Sequence, residues 1–349
     1  MSFEFCLNKS TYITKLSEEC HFTRKNPVNL KKHDIHLFAD ALEYTNAPSE
    51  LHLLNNIKIL PKGWLYKRST LLKESFTSLK YPSHRKRFRG MRKLFYKGMF
   101  PRRIKEGVWI TDNWSYNYFH WCADALPRLY LASLKKPRLQ LLLPNYLEGK
   151  GFITESLLAF GAKEPIFVSK FGSLLVSKLY FPSIASETGH FNEPVIREVA
   201  NKISRHFAEE VIPTRRIYIS RNKALMRHIE NEEQIFPILE KYGFEIVHFE
   251  TLTFSEQVKL MSECKTLIGP HGAGFVNMMF MPKNGNVMEI HPMDAKVNNC
   301  FFTLASAMKH NHFYIMADTV KKNIKSHLDN MSINPEEFEK NINLILKNN

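Results

Sequence analysis

A chain of 349 residues exceeds what one hydrophobic core usually supports, so two domains are expected. Its 44% hydrophobic and 24% charged content is ordinary for a globular protein and excludes long disorder. The net charge of +15 favours anionic partners. The five scattered cysteines include no C-x-x-C pair, which excludes a zinc finger or a redox dithiol and fits reduced thiols in a cytosolic protein.

Residues 1–10 hold Glu4 and polar side chains instead of the charged start and apolar stretch of a signal peptide. No run of about 18 apolar residues occurs anywhere, so no membrane-spanning helix is expected. Up to residue 105 the pattern is weak. Residues 57–60 read as a strand and 69–79 as a helix. Between His84 and Lys105 lie ten Lys or Arg residues, no acid, and interleaved Phe88, Leu94, Phe95, Tyr96 and Phe100. Such a segment suits phosphate, anionic lipid or nucleic acid, or is a solvated basic face; no zinc-finger spacing, RNP-like stretch or repeat favours nucleic acid.

Residues 108–111 read as a strand, and 115–134 as a helix that Pro127 breaks or kinks. A strand at 139–143 ends at Pro144, and a helix at 152–160 stops at Gly161. Strands follow at 166–168 and 174–181. Residues 193–211 have helical spacing, with Val195, Val199, Ile203 and Phe207 on one stripe, and Pro213 ends them. The domain boundary is placed there, giving residues 1–212 and 213–349.

The second half alternates. Strands at 217–220, 244–249, 266–268, 287–290 and 313–315 are separated by helices. One helix is capped by Asn231 and stopped by Gly243, and one opens with the capping-box pair Thr253 and Glu256. Such alternation implies a parallel sheet covered on both faces, with ligands outside the carboxyl ends of its strands. Phe338, Ile342, Leu344 and Ile345 mark a terminal helix.

The run Gly269-Pro270-His271-Gly272-Ala273-Gly274 joins the strand Thr266-Leu267-Ile268 to a helical stretch at 275–281. A glycine-rich turn of this kind aims unpaired amides outward with a helix dipole behind them, which suits an anion, most often a phosphate. Ordinary strand–helix turns share that composition, so the neighbouring residues carry much of the signal.

Three segments together resemble glycosyltransferase family 61. They are Asn117-Tyr118-Phe119-His120-Trp121-Cys122-Ala123-Asp124-Ala125-Leu126-Pro127-Arg128-Leu129, then Arg216-Ile217-Tyr218-Ile219-Ser220-Arg221 with Asn231-Glu232, and the glycine turn with Gly285-Asn286-Val287-Met288-Glu289-Ile290. The matched region runs over about residues 107–291. The basic cluster after the second segment is thin (Lys223, Arg227 and His228), and Phe275 stands where a leucine is usual.

The resemblance implies an α/β protein with two Rossmann-like domains facing across a cleft, GT-B-like, with the terminal helix returning toward the first domain. It implies an inverting sugar transfer from a nucleotide-sugar donor to a glycan or lipid-linked acceptor, with no cofactor and no metal. The sequence contains no Asp-x-Asp pair to hold one. Positive charge and helix amides then have to stabilise the leaving diphosphate. Arg221, His271, Gly272, Ala273, Gly274 and Asn277 are the candidate donor contacts, and Glu289 the candidate partner of the ribose hydroxyls. Asp124 is the candidate base, with His120 orienting it or the acceptor. Tyr118 and Arg128 are candidate acceptor contacts; Trp121 suits sugar stacking or the core. Each has a bland reading beside it: a surface ion pair for Arg221, a turn brace for His271, a buried structural pair for His120 and Asp124.

Because eukaryotic luminal members of the family need an entry signal, the start of this chain points to a bacterial cytosolic enzyme of surface-polysaccharide (capsule or lipopolysaccharide) synthesis. Residues 85–105 would hold it on the anionic inner leaflet, and nucleic acid is not expected as a partner. A non-catalytic nucleotide- or glycan-binding module is the alternative.

Overall fold

In the computed structural model the chain is described over residues 4–5, 7, 11–76, 100–138, 140–223, 226–293, 298–320 and 329–347. The basic run up to residue 99 lies outside the described residues. Two compact units are present. The first comprises Met1–Cys20 and Asn46–Thr188, the second His21–Thr45 and Gly189–Asn349.

Unit 1 is built on a mixed sheet. Strands β1 (Glu4–Phe5) and β2 (Thr11–Ser17) come first; β3 (Cys20–Thr23) and β4 (Glu43–Asn46) fall almost wholly in unit 2 and, among the described residues, pair only with each other. The long β5 (Ser49–Ile59) is followed by β6 (Leu65–Lys67), β7 (Thr70–Leu72), β8 (Arg102–Val108), β9 (Leu142–Leu143), β10 (Ile166–Phe167) and β11 (Leu174–Pro182). The seven-stranded sheet runs β1-β7-β6-β5-β11-β8, with β2 also on β5, while β9 and β10 pair in parallel apart from it. β5 meets β2, β6 and β11 antiparallel, and only β8 on β11 and β1 on β7 are parallel. The first Rossmann-like domain expected from the sequence is thus replaced by a mainly antiparallel sheet. Hairpin pairing accounts for the expected helix at 69–79 as well: Arg68 turns at φ 55°, Tyr66 aligns with Leu71, and residues 70–72 become β7. Residues 73–75 then form a 3-10 turn, and 77–79 lie outside the described residues. Ile57, Ile59, Leu65, Trp109, Leu142, Val176, Leu179 and Phe181 fill one core on this sheet.

The expected helix over 115–134 forms in three pieces. Tyr118–His120 is α-helical, Trp121–Ala125 is a π-helical turn, and α1 (Leu126–Lys135) follows. Asn117 caps the start, accepting the Phe119 amide at 2.9 Å. Pro127 falls in the first turn of α1, where a missing N–H costs nothing, and the break lies just before it. Helix α2 (Gly151–Leu158) ends at Gly161, whose φ of 57° suits glycine.

Unit 2 carries the parallel sheet expected of the second half. Its strands are β12 (Arg215–Ile219), β13 (Phe244–Val247), β14 (Cys264–Pro270), β15 (Asn286–Pro292), β16 (Asn311–Thr319) and β17 (Met331–Ser332), in the order β13-β12-β14-β15-β16-β17. All neighbours are parallel except β17, which runs antiparallel to β16. The unit's longer helices are α3 (Glu193–Phe207), α4 (Glu232–Lys241), α5 (Phe254–Ser262), α6 (Cys300–Ala307) and α7 (Pro335–Lys347). On one face of the sheet, Tyr218, Ile268, Met288, Ile290 and Phe313 pack with α4 and α7.

Burial of Phe338, Ile342 and Ile345 there contributes roughly 1.5–3 kcal/mol each. The apolar stripe of α7 is therefore used within unit 2 itself. Helix α3 also belongs to unit 2, with Val195, Ile196, Val199 and Ile203 buried, so the expected boundary at 212/213 falls inside that unit. Residues 21–45 join it through polar ties that no local pattern announces. Tyr314 Oη donates to Asp34 Oδ2 at 2.6 Å, and Asn29 donates to the Tyr314 carbonyl at 2.7 Å. Among the described residues no helix is long and apolar enough to cross a membrane.

Candidate functional site

In unit 2 the chain leaves β14 at the glycine turn. Gly269 is required by close strand packing: a Cβ there would lie 2.9 Å from the Ile219 carbonyl oxygen. The His271 amide donates to the Ile290 carbonyl at 2.9 Å, and the Phe275 amide closes on Gly272. A 3-10 helix, Ala273–Phe280, starts at once. Its first amides, at Ala273 and Gly274, have no earlier carbonyl within the helix to bond.

Arg221 lies on this turn. A Cβ on Gly272 would sit 2.2 Å from Arg221 Nη1 and 2.9 Å from its Cζ, so the guanidinium occupies the space that the absent side chain leaves. Gly272 has extended backbone, so its role is room for the guanidinium and not an unusual dihedral. Arg221 Nη2 donates to the Met226 carbonyl at 3.1 Å, while its Nε is buried without a hydrogen-bond partner. Arg227 Nε is also buried and unpartnered, on backbone held at φ 62°, a region arginine rarely occupies. Neither arginine has an ion pair among the described residues. Burial first, and then the charge of Arg227, push Arg221 down to about 10; burial also lowers Arg227. Both remain charged at neutral pH. Two half-buried guanidiniums that form no ion pair among the described residues, beside the start of a 3-10 helix, have the chemistry that suits an anion.

His271 and Glu289 form the second feature. The Glu289 side chain is wholly buried. His271 Nδ1 lies 2.5 Å from its Oε1, and His291 Nε2 and His312 Nε2 lie 3.0 and 3.4 Å from its Oε2. Burial alone would raise this carboxyl, but the surrounding imidazoles hold it well below the usual carboxylate range. Both oxygens are occupied and enclosed, so Glu289 is not available to ribose hydroxyls as the sequence suggested; it braces the turn from beneath. His271, Glu289 and His291 are also the described residues that could hold a cation, their ligand atoms lying within 4.8 Å of one another.

Asn277 is fully buried, and its amide donates to Gln257 Oε1 at 2.8 Å and to the Gly274 carbonyl at 3.1 Å. Gln257 in turn donates to the Phe249 and Leu252 carbonyls. Asn277 therefore ties the 3-10 helix to α5 instead of facing a ligand.

In unit 1 the three-piece helix brings His120 Nδ1 to 2.7 Å from Asp124 Oδ2. Thr188 Oγ1 donates to the same oxygen at 3.2 Å. Burial raises the Asp124 carboxyl, His120 and Thr188 oppose this, and nearby Asp112 adds to the rise. The His120 ring rests against Trp114 at 4.8 Å and Phe119 at 5.2 Å. Trp121 is fully buried and donates to Ser156 Oγ, which settles it in the core.

Arg128 is buried as well. Its Nε and Nη2 both donate to the Pro182 carbonyl, at 3.0 and 2.7 Å, and its guanidinium lies over Phe181. It holds the end of β11 and is not placed to receive an acceptor. Tyr118 packs edge-on against Phe152 and hydrogen-bonds the buried Cys122.

The structure thus brings Arg221, His271, Gly272, Ala273 and Gly274 together in unit 2, and His120 with Asp124 in unit 1. Sequence reading passed over Thr188, His291 and His312, and named Arg227 only as part of the thin basic cluster. His291 had a signal, since residues two apart on a strand share a face with Glu289. His312 needed the register that pairs it with Val287.

Residues 118–288 match the sequence model of the family described as Glycosyltransferase 61, just under half of the chain. This region is thus similar to that family, and the three segments that carry the resemblance lie in and around it. An EGF domain-specific O-linked N-acetylglucosamine transferase from Drosophila melanogaster is 29% identical over 131 residues. That alignment covers 33% of this chain and 25% of the relative, so the chain spans about a quarter of the length of the curated relative it matches.

Proposed function

We propose that this chain is an inverting glycosyltransferase that needs no metal, binding the diphosphate of a nucleotide-sugar donor at the glycine turn of unit 2. One observation carries the reading: Arg221 seated on Gly272, with Arg227 beside it and neither paired to a carboxylate. As the bond from the anomeric carbon to the phosphate oxygen breaks, its electron pair stays on that oxygen. The two guanidiniums and the first amides of the 3-10 helix oppose the growing charge; losing one such donor typically costs about 2.7–4 kcal/mol at the transition state.

The acceptor hydroxyl oxygen attacks the anomeric carbon and gives its proton to Asp124, which His120 and Thr188 orient. The raised affinity of Asp124 for a proton suits a general base. A glycan or lipid-linked acceptor and a role in bacterial surface-polysaccharide synthesis at the inner membrane face belong to the same proposal. The sugar named in the Drosophila relative makes nucleotide-linked N-acetylglucosamine the first donor to try.

Thermal unfolding of the full chain with a panel of nucleotide sugars and free nucleotides, in EDTA, tests the reading. A ligand at 100 times its Kd adds about 2.7 kcal/mol of stability. Stabilisation by one nucleotide family that persists in EDTA is expected. A flat panel, or a shift that EDTA abolishes, overturns the metal-free donor site.

A further inference from the structure

Arg221 and Arg227 lie, in the chain, between two residues that meet in the fold, Ser220 and Glu232. Glu232 opens α4 and is buried. A buried carboxylate needs hydrogen-bond partners, and here both are hydroxyls. Tyr218 Oη donates to its Oε1 at 2.9 Å, and Ser220 Oγ donates to its Oε2 at 2.8 Å. Residues two apart on a strand share a face, which turns Tyr218 and Ser220 together toward α4.

Ser220 is tied along the chain as well. Its amide donates to the Val247 carbonyl at 3.0 Å, and its Oγ accepts the Asn222 amide at 3.3 Å. The Ser220 hydroxyl thus joins Glu232 to the backbone on both sides of Arg221. The start of α4 is itself fixed from β17. Asn231 exchanges two hydrogen bonds with the main chain of Ile333, at 2.7 and 2.9 Å, and the Glu230 amide donates to the Met331 carbonyl at 2.8 Å. The Met331 amide in turn donates to the carbonyl of His228, next to Arg227. Among the described residues the Arg221 side chain makes one hydrogen bond, to the Met226 carbonyl, so its aim depends on where the main chain places it.

Taking the glycine turn as a diphosphate site, we infer that Glu232 is a positioning residue that acts through the Ser220 hydroxyl to hold Arg221 on Gly272, in place for the phosphates. Its oxygens accept from uncharged hydroxyls, so it orders the chain around the guanidiniums without neutralising them.

The test uses inorganic pyrophosphate titrated into the full chain by calorimetry. Ser220→Ala and Tyr218→Phe each take one hydroxyl from the same carboxylate, which costs stability in both. A Glu232 that served only the fold would make the two variants bind alike. The inference expects pyrophosphate affinity to fall about 10- to 100-fold in Ser220→Ala and to stay within about twofold of wild type in Tyr218→Phe. Glu232→Ala should lose as much as Ser220→Ala, and the double variant no more than either alone, since the two residues act as one unit. The Arg221 Nε–H signal in NMR should shift in Ser220→Ala and not in Tyr218→Phe.

Equal affinities in Ser220→Ala and Tyr218→Phe overturn the inference, as do additive losses in the double variant. If Glu232→Ala does not fold, the two hydroxyl variants decide. A wild type that does not bind pyrophosphate removes the diphosphate site; the Arg221 signal then decides whether Glu232 positions that arginine, and a signal unmoved by Ser220→Ala rules it out.

Discussion

Each unit holds a histidine whose Nδ1 meets a buried carboxylate, and the two pairs behave in opposite ways. In unit 1, Asp124 has one imidazole and one hydroxyl as partners, and burial wins: the carboxyl is raised. In unit 2, Glu289 has three imidazoles around two oxygens, and the partners win: the carboxyl stays ionised. Burial sets the penalty on a charge, and the number of hydrogen-bond donors decides whether it is met. A carboxylate of the first kind takes up a proton more readily than an ordinary aspartate; one of the second kind stays ionised and holds its neighbours in place. Under the proposed function, the comparison puts Asp124 in the chemistry and Glu289 in support.

The largest expected effect follows from removing the exchangeable carboxylate. Asp124→Asn should lower turnover by about 10²–10⁴-fold, the usual contribution of a positioned base. The acid limb of the wild-type rate profile should lie above the ordinary aspartate range, since the folded carboxyl is raised. Unchanged turnover in the variant would make the His120–Asp124 pair structural and favour a non-catalytic binding module.

Next in size is the anion site. Arg221→Ala or Arg227→Ala should each weaken turnover by about 10²–10³-fold, read in a donor-concentration series. Gly272→Ala sharpens this further. Its Cβ displaces the Arg221 guanidinium, the far end of a flexible side chain, so donor affinity should fall while thermal stability changes by no more than about 0.5 kcal/mol. A large loss of stability would mean that the glycine serves the fold and not the arginine.

The smallest effect concerns the support beneath the turn. His310 Nε2 donates to the Met278 carbonyl, and burial pushes His310 down to about 4 from 6.5. In this window the unfolded chain binds the proton and the folded chain does not. Stability should therefore fall as pH drops from about 6.5 to about 4, by roughly 3 kcal/mol from this residue. His271 and His312, also lowered, act in the same direction. Denaturant unfolding across that range, with His310→Asn as the comparison, measures it; an identical slope in the variant would contradict the assignment.

How much of this was legible depended on whether the determinant was local. The parallel sheet of unit 2 followed from alternating apolar runs, and the pairing of His120 with Asp124 from their spacing of four on a helix. Gly272 was found as part of an anion turn, but its reason, room for Arg221, needed the approach of β12 to β14. Glu289 was read as a ligand contact because its burial under three histidines depends on strand register. Arg128 and Asn277 were misassigned for the same reason, since their partners, Pro182 and Gln257, lie far along the chain. The mixed sheet of unit 1 was missed because β5 is paired on both sides by distant strands.

The central claim is a division of labour between Asp124 in the chemistry and Arg221 with Arg227 in holding the donor. Calorimetric titration of one nucleotide sugar into wild type, Asp124→Asn and Arg221→Ala tests it most directly. The account predicts wild-type affinity in Asp124→Asn and a loss of at least about tenfold in Arg221→Ala. Lost binding in Asp124→Asn with full binding in Arg221→Ala would contradict it.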